Sequence, residues 1–157
     1  MSSAGQTTRV VLTIMSAVTV AAVTGCGMMN KQANKQSNMV AFTTQLRASN
    51  EVPVNASMGT GSVDAVLNKD TSLFRWKANY SGLSGPATAG HFHGPAAVGA
   101  NAGVALAWPT PMAASMEGSA TLTPAQVSDL MAGRWYANVH TAANPGGEVR
   151  GQMTVRN

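Results

Sequence analysis

The sequence predicts an all-β fold: a Greek-key β-sandwich with one short connecting helix. Short segments with a two-residue apolar alternation recur along the chain, and clusters of Gly, Pro and Asn separate them. Glycine is abundant, with 16 residues, whereas helix formers such as Glu and Lys are sparse. A length of 157 residues is typical of one domain.

Eight segments of the chain read as strands. The clearest one alternates buried-type Phe74, Trp76, Ala78 and Tyr80 with polar or charged neighbours. The expected strands are residues 40–47, 61–67, 73–80, 87–93, 102–108, 118–122, 134–140 and 147–155. Turn residues stand between them, as at 81–86, 94–95 and 144–147.

One helix is expected shortly after residue 123. Thr123 suits the N-cap, Pro124 the first helical position and Gln126 the third. The apolar residues Val127, Leu130 and Met131 form a stripe, and Gly133 can end the helix. The helix is a connector between strands and not a second domain.

The N-terminal segment resembles a bacterial lipoprotein leader. The apolar run 10–23 is too short for a comfortable membrane span, and the only cysteine, Cys26, follows it. We expect a signal peptide over residues 1–25, lipidation of Cys26, a flexible tether over 26–39 and the folded domain over 40–157. The protein would then be exported and anchored to a cell-envelope membrane. An ordinary secretory signal or an uncleaved anchor is the alternative, since Val23 and Thr24 depart from the commonest lipobox.

Charge and motif content exclude several function classes. The formal net charge is +4, but the basic residues are scattered singly, so no nucleic-acid partner is expected. A single cysteine allows no intramolecular disulfide. Neither a hydrolase triad nor a phosphate-binding glycine loop followed by a helix is visible. A protein partner cannot be named from the sequence.

All three histidines lie in two compact motifs, HFHGP and YANVHT. His91 and His93 share one face of a strand, and His140 joins them if the two strands meet. Imidazole binds copper and zinc, so the sequence predicts a metal site with copper ahead of zinc. Glu148 or Tyr136 could supply a fourth ligand. The alternative is that the histidines only stabilise turns through hydrogen bonds.

Glu148 and Arg150 form a second candidate group. They are two residues apart and would share a face of the last strand. The pair could be a structural ion pair at a sheet edge. Alternatively, Arg150 could guide an anion toward a metal at the histidines.

Motifs over nearly all of residues 41–155 resemble the CHRD (chordin) domain. They are LRASNEVP (46–53), GTG (59–61), AGHFHGPA (89–96), GRWYANVHT (133–141) and PGGEVRGQ (145–152). Val54 replaces a second proline that is usual in the family, and Gly90 an alanine. The resemblance implies an exported single-domain bacterial protein of undefined role, and growth-factor binding is not carried over.

The HxH strand is also similar to that of the Cu/Zn superoxide dismutase sandwich, and the expected fold is superoxide dismutase-like or immunoglobulin-like. This likeness implies copper at His91 and His93, with His140 as a third ligand and Arg150 as an anion guide. The chain lacks that enzyme's disulfide and zinc-loop ligands. We therefore expect a metal-binding envelope protein rather than an enzyme. A non-catalytic structural module and a dismutase-type copper enzyme are the alternatives.

Overall fold

A computed structural model describes residues 38–156 of the chain. The expected leader 1–25, Cys26 and all but the last two residues of the tether lie outside the described residues. The first strand begins at Met39, one residue before the expected start of the domain. None of the described helices is long and apolar enough to cross a membrane.

The all-β class with one short helix is confirmed. The strands are β1 (Met39–Arg47), β2 (Thr60–Asn68), β3 (Leu73–Ser81), β4 (Ala87–His93), β5 (Val104–Ala107), β6 (Ser115–Thr121), β7 (Tyr136–Thr141), β8 (Val149–Gln152) and β9 (Thr154–Val155). A 3₁₀ turn covers Ala48–Asn50, and the helix α1 covers Pro124–Met131. The expected last strand is split at Met153, which is fully buried and whose N–H donates to the Trp135 carbonyl.

The strands form one curled antiparallel sheet in the order β5-β4-β7-β8-β1-β2-β3-β6, with β9 paired to β1. A single residue pair, Arg47 with Arg150, joins β8 to β1. The two halves of the sheet face each other, since the Phe92 ring of β4 lies 5.3 Å from the Phe74 ring of β3. Instead of the two separate sheets of the expected sandwich, the described residues form one curled sheet whose two halves face each other.

The core lies between these halves and is rich in aromatic residues. Phe74, Phe92 and Trp135 are completely buried and contact one another. Two glycines make room for large rings, because a Cβ on Gly90 would meet Trp108 and one on Gly118 would meet Trp76. The alternation read from the sequence places the strand residues Phe74, Trp76 and Phe92 on the inner face.

The helix has the capping box that its sequence predicts. The Thr123 hydroxyl accepts from the Gln126 N–H, and the Gln126 side chain accepts from the Thr123 N–H. The Gln126 side chain also donates to the Ala105 carbonyl, which ties α1 to β5. Gly133 follows with a φ of +68°, a conformation that favours glycine.

Two loops cover the outer face of β4, β7 and β8. The β1–β2 loop, residues 48–59, donates from Asn50 to the Arg150 carbonyl and from Asn55 to the Glu148 carbonyl. The β4–β5 loop, residues 94–103, accepts hydrogen bonds from Arg150. Strand β7 is therefore buried on both faces. Most polar side chains on this outer face are therefore buried beneath loops, whereas His91 is half-buried.

Candidate metal centre

The structure brings the three histidines together on the covered outer face. His91 and His93 project from β4, and His140 projects from the neighbouring β7, where it is paired with Ala89. One ring nitrogen from each residue lies within 4.8 Å of the others. His91 Nδ1 and His140 Nε2 are 3.0 Å apart. The two-residue alternation of β4 and the register with β7 thus produce a three-imidazole cluster.

Two of the imidazoles are oriented by backbone carbonyls. His93 Nδ1 lies 3.0 Å from the Ala102 carbonyl oxygen, and His140 Nδ1 lies 3.0 Å from that of Pro145. A carbonyl only accepts, so each Nδ1 carries the proton and each Nε2 carries the lone pair. His93 Nε2 is buried and has no hydrogen-bond partner. Metal-ligating histidines are held in this same way by their second nitrogen.

The third imidazole is hydrogen-bonded within the cluster. Because His140 Nε2 offers a lone pair, His91 Nδ1 donates to it across the 3.0 Å contact. Burial lowers the pKa of His91, and the neighbouring His140 and His93 lower it further. Burial also lowers the pKa of His140, although its bond to the Pro145 carbonyl opposes the change. Both shifts favour neutral rings, the form that binds metals.

The cluster fits a tetrahedral metal ion after a small closure. Metal–nitrogen bonds of about 2.0 Å place ligand nitrogens roughly 3.3 Å apart. His91 Nδ1 and His140 Nε2 are already near that spacing at 3.0 Å, whereas other separations reach up to 4.8 Å. To bind a metal through Nδ1, the His91 ring would carry its proton on Nε2 instead. Among residues 38–156 the group contains only these three ligands. A metal held here would keep one coordination position for an outside ligand.

Neither fourth ligand considered from the sequence is available. The Tyr136 hydroxyl donates to the Ala102 carbonyl and accepts from the Ala102 N–H. The Glu148 carboxylate accepts from the hydroxyls of Ser57, Ser84 and Thr141 and from the Ser84 N–H. Both side chains are therefore committed to other bonds.

Within residues 38–156, Glu148 and Arg150 form no ion pair with each other. Glu148 lies before the first residue of β8, so strand alternation does not apply to it, and hydroxyl groups surround its carboxylate. The Arg150 guanidinium donates instead to the Asn101 side chain at 2.8 Å and the Ala100 carbonyl at 2.6 Å. Arg150 is only 2% exposed and holds the β4–β5 loop. The two residues belong to separate networks.

Arg150 does not touch the histidines, but the ring of Tyr136 connects its guanidinium to His93. Its guanidinium carbon lies 3.4 Å from the centroid of the Tyr136 ring. The Tyr136 ring stacks on His93, with centroids 4.8 Å apart and a 5° angle between planes. Because β7 lies between β4 and β8, His93 and Arg150 approach Tyr136 from opposite sides.

Sequence reasoning missed the place of Glu51 on this face. Glu51 is 4% exposed, and its Oε1 is buried without a hydrogen-bond partner, as is the Oδ1 of Asn138. Burial raises the pKa of Glu51 to about 7, although the charge of Arg150 opposes the rise. The only signal in the sequence was one acidic residue in the turn NEVP. The long β1–β2 loop carries it to the outer face.

Comparison with known proteins identifies one family. The family model described as CHRD domain matches residues 42–153, which include the three histidines and most of the chain. No curated protein and no solved structure matches the chain.

Proposed function

The chain belongs to the CHRD domain family. From that premise we propose that it is a cell-envelope lipoprotein that binds one metal ion through His91, His93 and His140. The proposed metal is copper in preference to zinc. The observation that carries the proposal is the convergence of three imidazole nitrogens, one from each ring, within 4.8 Å of one another. The buried Nε2 of His93 supports it, since an unpartnered lone pair in the interior costs free energy that a metal would offset.

Copper is favoured by the ligand set. Three neutral imidazoles without a carboxylate or thiolate suit copper, and affinity for divalent ions is higher for copper than for zinc at such sites. The carbonyl oxygens of Ala102 and Pro145 would hold the ligand rings in place. The metal supplies a Lewis-acidic or redox centre when bound, and the protein orients the rings and covers the site with its loops.

The test is metal content and affinity of the purified chain. We expect about one equivalent of copper per chain after loading, measured by elemental mass spectrometry, and a Kd obtained by competition with a chelator. His91→Gln, His93→Gln and His140→Gln should each weaken binding by at least about tenfold, because each removes one ligand. Lys77→Ala is the matched control, since Lys77 is exposed on β3 and its ion-pair partner among the described residues is the exposed Glu117.

A second function has support from two specific contacts. The bonds of His93 to Ala102 and of His140 to Pro145 could stabilise their loops in the absence of any metal. The protein would then be a non-catalytic binding or structural module of the envelope. Unchanged copper affinity in all three histidine variants, together with a lower melting temperature, would favour that function and reject the metal site.

The anchoring part of the proposal rests on the leader alone. An apolar run followed by the single Cys26 supports export and lipidation. Cys26→Ser should release the protein from membranes into the soluble fraction, measured by fractionation and immunoblotting. Ser37→Cys added to that variant is the control, because a cysteine away from the expected cleavage site should not restore the anchor. Membrane retention of Cys26→Ser would reject lipidation.

A further inference from the structure

The guanidinium of Arg150 lies behind the histidine cluster, on the far side of the Tyr136 ring from His93. Its central carbon is 3.4 Å from the centroid of that ring, and the His93 ring stacks on Tyr136 with centroids 4.8 Å apart. The guanidinium carbon is therefore at most about 8 Å from the centre of the His93 ring. Because Tyr136 separates the two groups, Arg150 can act on the site as a charge but not as a ligand.

All three members of this stack are buried. The exposed fractions of His93, Tyr136 and Arg150 are 8%, 3% and 2%. Charges in a protein interior are screened far less than charges in water. An arginine side chain also keeps its proton at every pH at which proteins are folded. The stack therefore holds a permanent and weakly screened positive charge close to the three imidazoles.

The contacts of the guanidinium hold this charge in place without cancelling it. Its hydrogen bonds go to the Asn101 side chain and the Ala100 carbonyl, which are both neutral. It takes part in none of the ion pairs found within residues 38–156. The charge of Arg150 acts on the Glu51 carboxyl, but burial raises the pKa of Glu51 to about 7, so most of this carboxyl is protonated at pH 6.5. The charge of Arg150 thus stays largely uncompensated at that pH.

A fixed positive charge discriminates between metal ions by their valence. It repels a divalent ion twice as strongly as a monovalent ion at the same position. The three ligands are neutral imidazoles, which bring no negative charge to offset this difference. Copper forms both a monovalent and a divalent ion, whereas zinc is divalent only.

We infer that Arg150, from its place behind Tyr136, shifts the selectivity of the three-histidine site from divalent toward monovalent metal ions and so favours Cu(I) among the ions of copper. The inference rests on the proposed metal site and names the residue that determines its selectivity. Arg150 does this without touching the metal, through a charge that Tyr136 and the β4–β5 loop keep out of water.

The test compares Ag(I) with Zn(II), because both ions have a filled d shell and they differ in charge. Binding to the untagged full chain at pH 6.5 is followed by ¹⁵N NMR of the labelled imidazole rings, in competition with unlabelled free imidazole. The chain has only three histidines, so their rings report on this site alone. Every protein carries Cys26→Ser, since a free thiol would itself bind Ag(I).

The measured quantity is the Kd of Zn(II) divided by the Kd of Ag(I). Arg150→Gln should lower this ratio by about tenfold, because it removes a repulsion that weakens Zn(II) binding more than Ag(I) binding. Arg150→Lys keeps the charge and should restore most of the ratio. Arg75→Gln is the matched control, since Arg75 is exposed on β3 and water screens its charge, so the ratio should not change.

Asn101→Asp tests the charge while the arginine stays in place, and it decides the question if Arg150→Gln does not fold. Its carboxylate would accept from the guanidinium N–H that now donates to the Asn101 amide oxygen, and only the bond to the Val52 carbonyl would be lost. The new negative charge should lower the ratio in the same direction as Arg150→Gln, by about twofold or more.

The possible failures are distinguishable. If Arg150→Gln changed both Kd values by the same factor, Arg150 would only support the fold, and the inference would be overturned while the metal site remained. An unchanged ratio in Asn101→Asp would overturn it equally. If the protein with Arg150 intact bound neither ion at its histidines, the proposed metal site itself would be rejected, and the inference with it.

Discussion

At the residue scale, Glu148 joins three parts of the chain through one carboxylate. It is fully buried and accepts hydrogen bonds from Ser57, Ser84 and Thr141. Burial alone would raise the pKa of Glu148, but these hydrogen bonds outweigh it and bring the pKa to about 2. We predict that Glu148→Gln lowers the free energy of unfolding by about 3 kcal/mol at pH 7, measured by urea denaturation.

The pH dependence of the stability lost in Glu148→Gln follows from the lowered pKa of Glu148. The pKa of Glu148 is lower in the folded than in the unfolded state, so its stabilisation is complete above about pH 4.5 and disappears toward pH 2. The difference between wild type and Glu148→Gln should shrink over the same range. Glu117→Gln is the control, since Glu117 is exposed on β6. A constant difference from pH 7 to pH 2 would contradict the ionised state of Glu148.

Glu51 predicts a pH effect of the opposite sign. Its pKa rises to about 7 in the folded protein, above the ordinary value of 4.5, because burial disfavours the charged carboxylate. Between pH 4.5 and 7 the unfolded chain loses this proton before the folded one, so stability falls as the pH rises. Glu51→Gln should therefore stabilise the protein at pH 8 by about 2 kcal/mol and change little at pH 4.5.

Urea denaturation at pH 4.5, 6 and 8 checks the Glu51 prediction. Asp64→Asn is a matched control, because Asp64 is an exposed carboxylate on β2. If Glu51→Gln were equally destabilising at all three pH values, the fold would need the charged Glu51 carboxylate as a partner of Arg150. The prediction that burying this charge destabilises the protein would then be wrong.

These residues show how far side-chain roles follow from the sequence. The shared face of His91 and His93 was predictable, because alternation along one strand determines it. The separate hydrogen-bond networks of Glu148 and Arg150 could not be predicted. They depend on hydroxyl groups that the β1–β2 and β3–β4 loops bring to Glu148 from distant positions in the chain. The position of Glu51 could not be predicted for the same reason, because the folded β1–β2 loop carries it to the outer face.

At the element scale, the β8–β1 junction is the narrowest connection within the sheet. Gly151 of β8 lies so close to β1 that a Cβ would meet the Thr44 hydroxyl and the Gln45 carbonyl. Backbone cannot move aside cheaply, and one residue pair joins these strands. We predict that Gly151→Ala lowers the free energy of unfolding by about 3 kcal/mol, measured by denaturant titration.

Gly85→Ala supplies the comparison for the junction. A Cβ on Gly85 would meet nothing within 4 Å, and Gly85 does not adopt a positive φ. That substitution should leave stability unchanged within about 0.5 kcal/mol. Equal effects of the two alanines would mean that the sheet halves can separate slightly at no cost.

The elements themselves were largely predictable from local signals. The capping box of α1 and the alternation of β3 are properties of neighbouring residues, and both are confirmed. The break between β8 and β9 was not predictable, because Met153 turns into the core only where Trp135 offers its carbonyl. The joining of the two sheet halves at Arg47 and Arg150 likewise depends on strands far apart in the chain.

At the scale of the whole molecule, the proposed metal would link two loops, the β4–β5 loop and the loop between β7 and β8, to the sheet. His93 is bonded to the β4–β5 loop and His140 to the β7–β8 loop, so a metal on both would connect these loops through one centre. A ligand that binds only the folded state stabilises it by mass action. We predict that a copper excess of about 100 times the Kd raises the free energy of unfolding at pH 7.5 by about 3 kcal/mol.

The gain should depend on pH in a defined direction. The pKa values of His91 and His140 are lowered in the folded metal-free protein, so both rings are neutral at pH 7.5. Below about pH 6.5 the unfolded chain takes up protons first, so the metal-free fold loses stability, and protons also begin to compete with copper as the pH falls further. Thermal unfolding at pH 7.5 and 5.0, with and without copper, should show a smaller gain at the lower pH. At the same copper concentration His140→Gln should show about half of the wild-type gain or less, because its Kd is raised about tenfold or more. A full gain in that variant would place the copper elsewhere on the chain.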